Sequence, residues 1–143
     1  VVGKGEGTNE LLAFDNALYQ AGISQYNLVK VSSILPPFVK KAEKIDLPPG
    51  ALLPIAYARL LSKIPGEVIS AAIAVGIPKD SKNIGVIMEY SGVCSEEEAR
   101  EIVFRMTVEA MRIREIILED VEILSISHET KNLAVVFGGC AIW

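Results

Sequence analysis

The spacing of apolar positions near the start of the chain predicts one amphipathic helix. Thr8 or Asn9 can cap its N-terminus, and Gly22 is suited to end it. Four apolar residues recur on one helical face and are expected to contact the core: Leu11, Phe14, Leu18 and Ala21. Three glycines before the helix predict a turn after the tail of a strand: Gly3, Gly5 and Gly7.

Extended segments are predicted for the central part of the chain. Residues 26–31 are rich in β-branched and aromatic side chains, which favours a strand. Residues 34–50 contain four prolines and a small charged cluster, and they predict an irregular loop. Three apolar stretches follow at 51–64, 67–77 and 84–90, with turn residues between them. Tight turns between successive strands predict an antiparallel meander.

A second helix and two closing strands are predicted for the rest of the chain. Ser95 and Glu98 form a capping box, and the helix is expected to end near Arg114. Its apolar stripe has helical spacing: Ala99, Ile102, Val103, Met106, Ala110 and Ile113. Strands are expected at 121–127 and 132–143, with His128 on the surface at the turn between them. Helices that cover a largely antiparallel sheet indicate an α+β fold in one domain.

Composition adds limits on partners and on location. Half of the 143 residues are apolar and 6% are aromatic, which indicates an aliphatic core and enough apolar surface for a subunit interface. A net charge of −4 disfavours nucleic acid as a partner. No apolar run reaches the length of a membrane span, so we expect no membrane partner. The distant Cys94 and Cys140 indicate a reducing, cytoplasmic setting without a disulfide, and we expect no metal site.

Two adjacent serines at the end of the 26–31 strand offer unusual chemistry. The Ser33 hydroxyl can attack the Ser32 carbonyl carbon, which moves the acyl group from nitrogen to oxygen. Elimination from that ester leaves a dehydroalanine at position 33, and hydrolysis converts it into a pyruvoyl group and ammonia. Such a pair also occurs by chance, and most serines at strand ends only form turn hydrogen bonds. The pair alone therefore does not decide between chemistry and a simple turn.

Two acids stand out by their surroundings. Glu89 lies in the apolar strand 84–90, where an acid either points to solvent or is partly buried. Partial burial favours the protonated form and would make it a proton donor near neutral pH. Asp15 lies on the first helix within one turn of Leu18. The pattern alone favours exposed surface positions for both acids.

Several segments together carry a specific resemblance. They are Leu12–Leu18, Ala21–Ile23, Asn27–Leu28, Val31–Pro37, Leu47–Leu52, Pro65–Ile73, Ile77–Asp80 and Ile87–Tyr90. With these segments, the sequence resembles the pyruvoyl-dependent arginine decarboxylases, small self-cleaving enzymes, over essentially its whole length. The resemblance implies a break between Ser32 and Ser33, which gives a β chain of residues 1–32 and an α chain of residues 33–143.

The same resemblance implies roles for individual residues. Ser33 becomes the covalent pyruvoyl cofactor, which forms a Schiff base with L-arginine and yields agmatine and CO₂. Asn27 and Ser32 position the scissile bond and the active site, and Glu89 donates a proton. Asp15, whose carboxylate suits pairing with a guanidinium group, lines the substrate pocket together with Leu18.

Fold and assembly follow from the resemblance as well. It implies a four-layer αββα sandwich with largely antiparallel sheets, in a homotrimer of αβ units or a hexamer, with active sites at subunit interfaces. Three alternatives stay open at the level of sequence. They are a pyruvoyl enzyme for histidine, lysine or ornithine, a non-catalytic trimer that binds a small metabolite, and a proenzyme that never cleaves.

Overall fold

The structure is a computed structural model that describes residues 1–143. It contains two helices and eight strands. In chain order they are β1 Val2–Glu6, α1 Glu10–Gln20, β2 Asn27–Lys30, β3 Ile34–Leu35, β4 Leu52–Ser62, β5 Val68–Pro78, β6 Gly85–Val93, α2 Glu96–Ile113, β7 Leu118–Glu129 and β8 Ala134–Ala141.

The strands form two four-stranded sheets that pack face to face. The first sheet has the order β1-β8-β4-β2 and the second the order β3-β6-β5-β7. All pairs are antiparallel except β2 with β4. Helix α1 packs on the outer face of the first sheet and α2 on the outer face of the second. The predicted αββα sandwich is thereby confirmed.

Two of the three glycines before α1 belong to a strand and not to the predicted turn, whereas Gly7 follows that strand. Gly3 and Gly5 lie within β1, directly beneath the helix. A Cβ atom at Gly5 would lie 2.6 Å from the Ala13 carbonyl oxygen, and one at Gly3 would lie 2.0 Å from that of Ala17. These close approaches place Ala13 and Ala17 in the core. The predicted helix face is therefore partly wrong, since Leu11 is 75% exposed.

Both ends of α1 follow the predicted capping residues. Asn9 is the N-cap, and its side chain accepts a hydrogen bond from the Leu12 N–H. At the other end, the Gly22 and Ile23 N–H groups donate to the Tyr19 and Leu18 carbonyl oxygens. This is a Schellman motif, and it requires the positive φ of 76° that Gly22 adopts.

The predicted three-stranded meander is wrong in its first strand. β4 lies in the first sheet between β8 and β2, whereas β5 and β6 form a hairpin in the second. The turn Pro65–Gly66 thus carries the chain from one sheet to the other. Turn residues specify a reversal of direction, but they do not specify which strand becomes the hydrogen-bonded neighbour. The predicted loop 34–50 also contains a short strand, β3, which pairs with Gly85 and Val86 of β6.

Helix α2 has the predicted boundaries but a shifted buried face. The Ser95–Glu98 capping box is present, and the helix ends at Ile113. Its buried residues are Ala99, Val103, Thr107, Ala110 and Met111. Ile113 is 67% exposed and Met106 is 37% exposed, so the predicted stripe is only partly correct. The polar residue Thr107 can be buried in the core because its hydroxyl donates a hydrogen bond to the Val103 carbonyl oxygen within the helix.

The first closing strand is longer than predicted and the second is shorter, and His128 lies inside the first. His128 belongs to β7, and its Nε2 lies 2.7 Å from Glu6 Oε1 on β1. The contact joins the two sheets and leaves 17% of the His128 side chain exposed, so the predicted surface turn position is wrong. Neither α1 nor α2 has the length and hydropathy that a helix needs to cross a bilayer.

Candidate active site

Ser32 and Ser33 lie where the chain passes from the first sheet to the second. Just before the pair, the Val31 N–H donates to the Ile55 carbonyl oxygen of β4 over 3.1 Å. At the pair itself, the Ser33 carbonyl oxygen accepts from the Ile87 N–H of β6 over 2.9 Å. The peptide bond between the serines is therefore anchored on one side to each sheet.

A tight turn surrounds this peptide bond. The Ser32 carbonyl oxygen accepts a hydrogen bond from the Ile34 N–H over 2.9 Å, which closes a three-residue γ-turn around Ser33. Ser33 does not have positive φ, so the turn is of the common inverse type. Ser32 is exposed and Ser33 is half-buried. The turn ends β2 and directs the chain into β3.

Glu89 meets Ser33 at this point. The Ser33 Oγ donates a hydrogen bond to Glu89 Oε2 over 3.0 Å. Glu89 is half-buried in β6, two residues beyond the Ile87 that holds the Ser33 carbonyl. Because alternate residues of a strand share one face, Glu89 and Ile87 point to the same side of β6, toward the first sheet. The structure thus brings together three predicted site residues: Ser32, Ser33 and Glu89.

The floor of the site is apolar. A buried cluster of Leu35, Ala56, Ile73 and Ile87 lies between the sheets, with Val31 and Cys140 packed against it. Burial raises the pKa of the Cys140 thiol, so this cysteine is held in its protonated, weakly nucleophilic form. The cluster beneath Ser33 is therefore apolar and favours the neutral form of the Cys140 thiol.

Asn27 lies at the start of β2, one strand length before the serines. Its Nδ2 donates to the Gly50 carbonyl oxygen over 2.7 Å, and its own N–H donates to the Ala51 carbonyl oxygen over 2.9 Å. Gly50 lies in a turn of residues 48–51 and has a φ of +85°. In this turn the Ala51 N–H donates to the Pro48 carbonyl oxygen. In the uncut chain, the Asn27 side-chain amide therefore fixes the start of β2 against that turn.

Asp15 and Leu18 lie on the far side of the first sheet. Leu18 is 8% exposed in the cluster that joins α1 to this sheet, and Asp15 is exposed on the outer side of α1. The Ser33–Glu89 pair lies on the inner side of the same sheet. One chain therefore does not bring these two residues to the paired serines.

Exposed apolar side chains surround Asp15 on α1. They are Leu11, Leu12 and Tyr19, which are 75%, 48% and 77% exposed. On a helix, these positions lie three or four residues from Asp15 and share its face. Apolar surface of this kind is typical of a protein interface.

The serine pair is held by two backbone groups that the sequence did not predict, the N–H groups of Ile34 and Ile87. Every residue except proline carries such a group, so no side-chain pattern singles them out. These two groups face the serines because β3 pairs with β6. The segment that contains β3 is predicted from the sequence to be an irregular loop.

The residues present fit a self-generated pyruvoyl group. A half-buried serine hydroxyl lies next to the peptide bond that it must attack, with a carboxylate as its hydrogen-bond acceptor and an apolar floor below. Attack of Ser33 Oγ on the Ser32 carbonyl carbon forms a five-membered ring.

Comparison with known proteins identifies close relatives. The family model described as "Pyruvoyl-dependent arginine decarboxylase (PvlArgDC)" matches residues 1–142. The chain is 43% identical over 143 residues to the pyruvoyl-dependent arginine decarboxylase of Methanocaldococcus jannaschii, which covers 100% of this chain and 87% of the relative. It is 50% identical over 110 residues to the pyruvoyl-dependent arginine decarboxylase of Thermococcus kodakarensis, which covers 76% and 69% of the two chains.

A solved structure with a similar fold supports the architecture. A pyruvoyl-dependent histidine decarboxylase aligns with a TM-score of 0.54 and 16% sequence identity. The alignment covers 68% of this chain and 52% of that one, so the likeness concerns about half of the solved chain. At this identity the likeness establishes the fold.

Proposed function

Since this chain belongs to the pyruvoyl-dependent arginine decarboxylase family, we propose that it cleaves itself between Ser32 and Ser33 and then decarboxylates L-arginine to agmatine and CO₂. The observation that carries the proposal is the hydrogen bond from Ser33 Oγ to Glu89 Oε2. It supports the proposal because the hydroxyl proposed as the nucleophile of the cleavage contacts the carboxyl group proposed as the acid of the decarboxylation.

Self-cleavage uses atoms that are already adjacent. Ser33 Oγ forms a bond to the Ser32 carbonyl carbon, the bond from that carbon to the Ser33 nitrogen breaks, and the hydroxyl proton ends on that nitrogen. Loss of the residue 33 Cα proton to water then breaks the Cβ–Oγ bond, which expels the Ser32 carboxylate and leaves dehydroalanine at position 33. Water converts this residue into a pyruvoyl group and releases ammonia. The products are a β chain of residues 1–32 and an α chain of residues 33–143.

The hydrogen bonds that hold the serine pair to the two sheets do not involve the bond that breaks, so they remain after cleavage. The Ser32 side remains attached to β4 through Val31, and position 33 remains attached to β6 through its carbonyl oxygen and the Ile87 N–H. Each new chain end therefore stays on its own sheet. This keeps the group formed at position 33 beside Glu89.

Glu89 supplies the proton that completes the reaction. A pyruvoyl group at position 33 would supply a ketone for the substrate amine and a sink for the electrons released with CO₂. Glu89 contacts the side chain of residue 33 before the cut, so its carboxyl lies within reach of the carbon that loses CO₂. The apolar cluster below limits access of water and disfavours the charged substrate carboxylate relative to neutral CO₂.

Asp15 binds the guanidinium group of arginine from a second copy of the chain. Within one chain, α1 and the serine pair lie on opposite faces of the first sheet, whereas the exposed apolar surface around Asp15 suits a contact between subunits. In a homotrimer, each α1 reaches the cut site of a neighbour. A carboxylate at that place forms a charge-assisted, bidentate pair with a guanidinium group.

Intact-mass measurement and a substrate panel test the proposal together. Freshly folded wild-type protein should give two fragments that end at Ser32 and begin at position 33, and the α chain should react with a hydrazine reagent. Release of CO₂ should be fastest with arginine among arginine, histidine, lysine and ornithine. A single uncut chain with no trapped carbonyl would refute the enzyme proposal, whereas preference for another amino acid would refute only the choice of substrate.

A further inference from the structure

The carbonyl group that self-cleavage attacks already has a hydrogen-bond donor. Ser32 carbonyl oxygen accepts from the Ile34 N–H over 2.9 Å. Resting on the self-cleavage proposed above, we infer that the Ile34 backbone N–H stabilises the negative charge that develops on this oxygen. Ile34 thus contributes a catalytic backbone group to the formation of the cofactor, although its side chain takes no part.

The geometry of the turn favours this role. When Ser33 Oγ attacks, the carbonyl π electrons move onto the Ser32 oxygen and the carbon becomes tetrahedral. Donor and acceptor belong to the same γ-turn ring, so the N–H faces the oxygen when the attack begins. A donor already aimed at an oxygen on which negative charge develops lowers the barrier to attack.

The two sheets hold the donor in place. Val31 is fixed to β4 through Ile55, and Ser33 is fixed to β6 through Ile87. The next residue, Ile34, continues into the short ladder of β3 with β6, opposite Val86. The turn is thus anchored at both ends to different sheets, so the Ile34 N–H is directed back to the Ser32 oxygen and not to solvent.

The amide side chain nearest in sequence is occupied elsewhere. Asn27 Nδ2 donates to the Gly50 carbonyl oxygen over 2.7 Å. In the uncut chain the hydrogen bond to the Ser32 oxygen comes from Ile34.

An amide-to-ester replacement tests the inference directly. Incorporation of the α-hydroxy acid analogue of isoleucine at position 34 removes the N–H and keeps the side chain. Cleavage is followed by intact mass after refolding from denaturant, and it should slow by roughly 10²-fold, the usual cost of one oxyanion donor. Cleavage of this ester chain at the wild-type rate would overturn the inference.

A second ester controls for an indirect effect. An ester at position 34 also weakens the Ser33 carbonyl as an acceptor for the Ile87 N–H. The same replacement at Ile87 removes that hydrogen bond and leaves the Ile34 N–H intact, so it should slow cleavage much less than the ester at 34. Equal slowing by both esters would overturn the inference, since the anchor would then explain the loss. Failure of wild-type protein to cleave would instead refute the proposed function itself.

Discussion

Ser33 and Glu89 are 56 positions apart in the chain, and the hydroxyl of the first donates a hydrogen bond to the carboxylate of the second over 3.0 Å. The contact joins the chain between β2 and β3 to the middle of β6. It gives Glu89, an acid in a mostly apolar strand, a specific partner at the bond that is proposed to break.

Ser33→Ala should give a folded chain that never cleaves, because a methyl group cannot attack the Ser32 carbonyl. A denaturing gel and intact mass should show one band of full length, and arginine decarboxylation should be absent. Ser81→Ala, in an exposed turn, is the control and should cleave normally. Two fragments from the Ser33→Ala protein would show that another residue breaks the chain.

Glu89→Gln should cleave and then fail to turn over arginine. Glutamine keeps a side-chain oxygen that accepts from Ser33 Oγ, but it has no acidic proton for the product. We expect the rate of CO₂ release to fall by about 10²-fold or more, within the usual range for loss of a general acid. Glu119→Gln, an exposed acid at the start of β7, should have no effect. Full activity of the Glu89→Gln enzyme would remove Glu89 from the mechanism.

Asp15→Asn should weaken arginine binding and leave self-cleavage unchanged. Loss of a charge-assisted pair with guanidinium typically costs about 1.5–3 kcal/mol, so the KM for arginine should rise by roughly tenfold or more. Steady-state kinetics of the fully cleaved enzyme measure the change. Asp46→Asn serves as the control, since Asp46 is an exposed acid outside α1. An unchanged KM would separate Asp15 from the substrate pocket.

Glu6 should make stability depend on pH in the acid range. Burial acts to raise the pKa of Glu6, but hydrogen bonds from the Lys131 N–H, the His128 ring and the Asn132 N–H hold it below its ordinary value of 4.5. A carboxyl with a lowered pKa in the folded state stabilises that state above its unfolded pKa, and this contribution disappears as pH falls through the folded pKa.

Urea unfolding at several pH values measures this contribution. The difference in unfolding free energy between wild type and Glu6→Gln should be largest above pH 4.5 and should shrink as the pH falls below it. Glu97→Gln, on the exposed first turn of α2, is expected to leave the profile of the wild type unchanged. A difference that grows toward low pH would contradict the assigned direction.

Gly5→Ala should destabilise the contact between α1 and β1. Its Cβ would lie 2.6 Å from the Ala13 carbonyl oxygen, a distance that forces the helix to move. Overpacking of this kind costs roughly 1–3 kcal/mol, which denaturant unfolding can measure. Gly138→Ala in the same sheet is the matched control, since its nearest heavy atom would lie at an ordinary 3.5 Å. Equal stability of the two variants would contradict the close packing of α1.

The sequence by itself determined the features that depend on near neighbours in the chain. Asn9 and Ser95 mark the starts of the two helices because capping involves residues at most three positions away. The β5–β6 hairpin follows from the turn between its strands. Ser32-Ser33 and its flanking segments identified the family because self-cleavage needs adjacent atoms and therefore adjacent residues.

Tertiary structure alone decided which distant elements meet. Turn residues could not show that β4 joins β8 and β2, because sheet membership depends on long-range pairing. Helical periodicity did not reveal that glycines in β1 admit α1 so closely that Ala13 and Ala17, and not Leu11, enter the core. Likewise, the pairing of β3 with β6 directs the Ile34 and Ile87 N–H groups to the serine pair. The sequence could not single these groups out, because every residue type except proline has a backbone N–H.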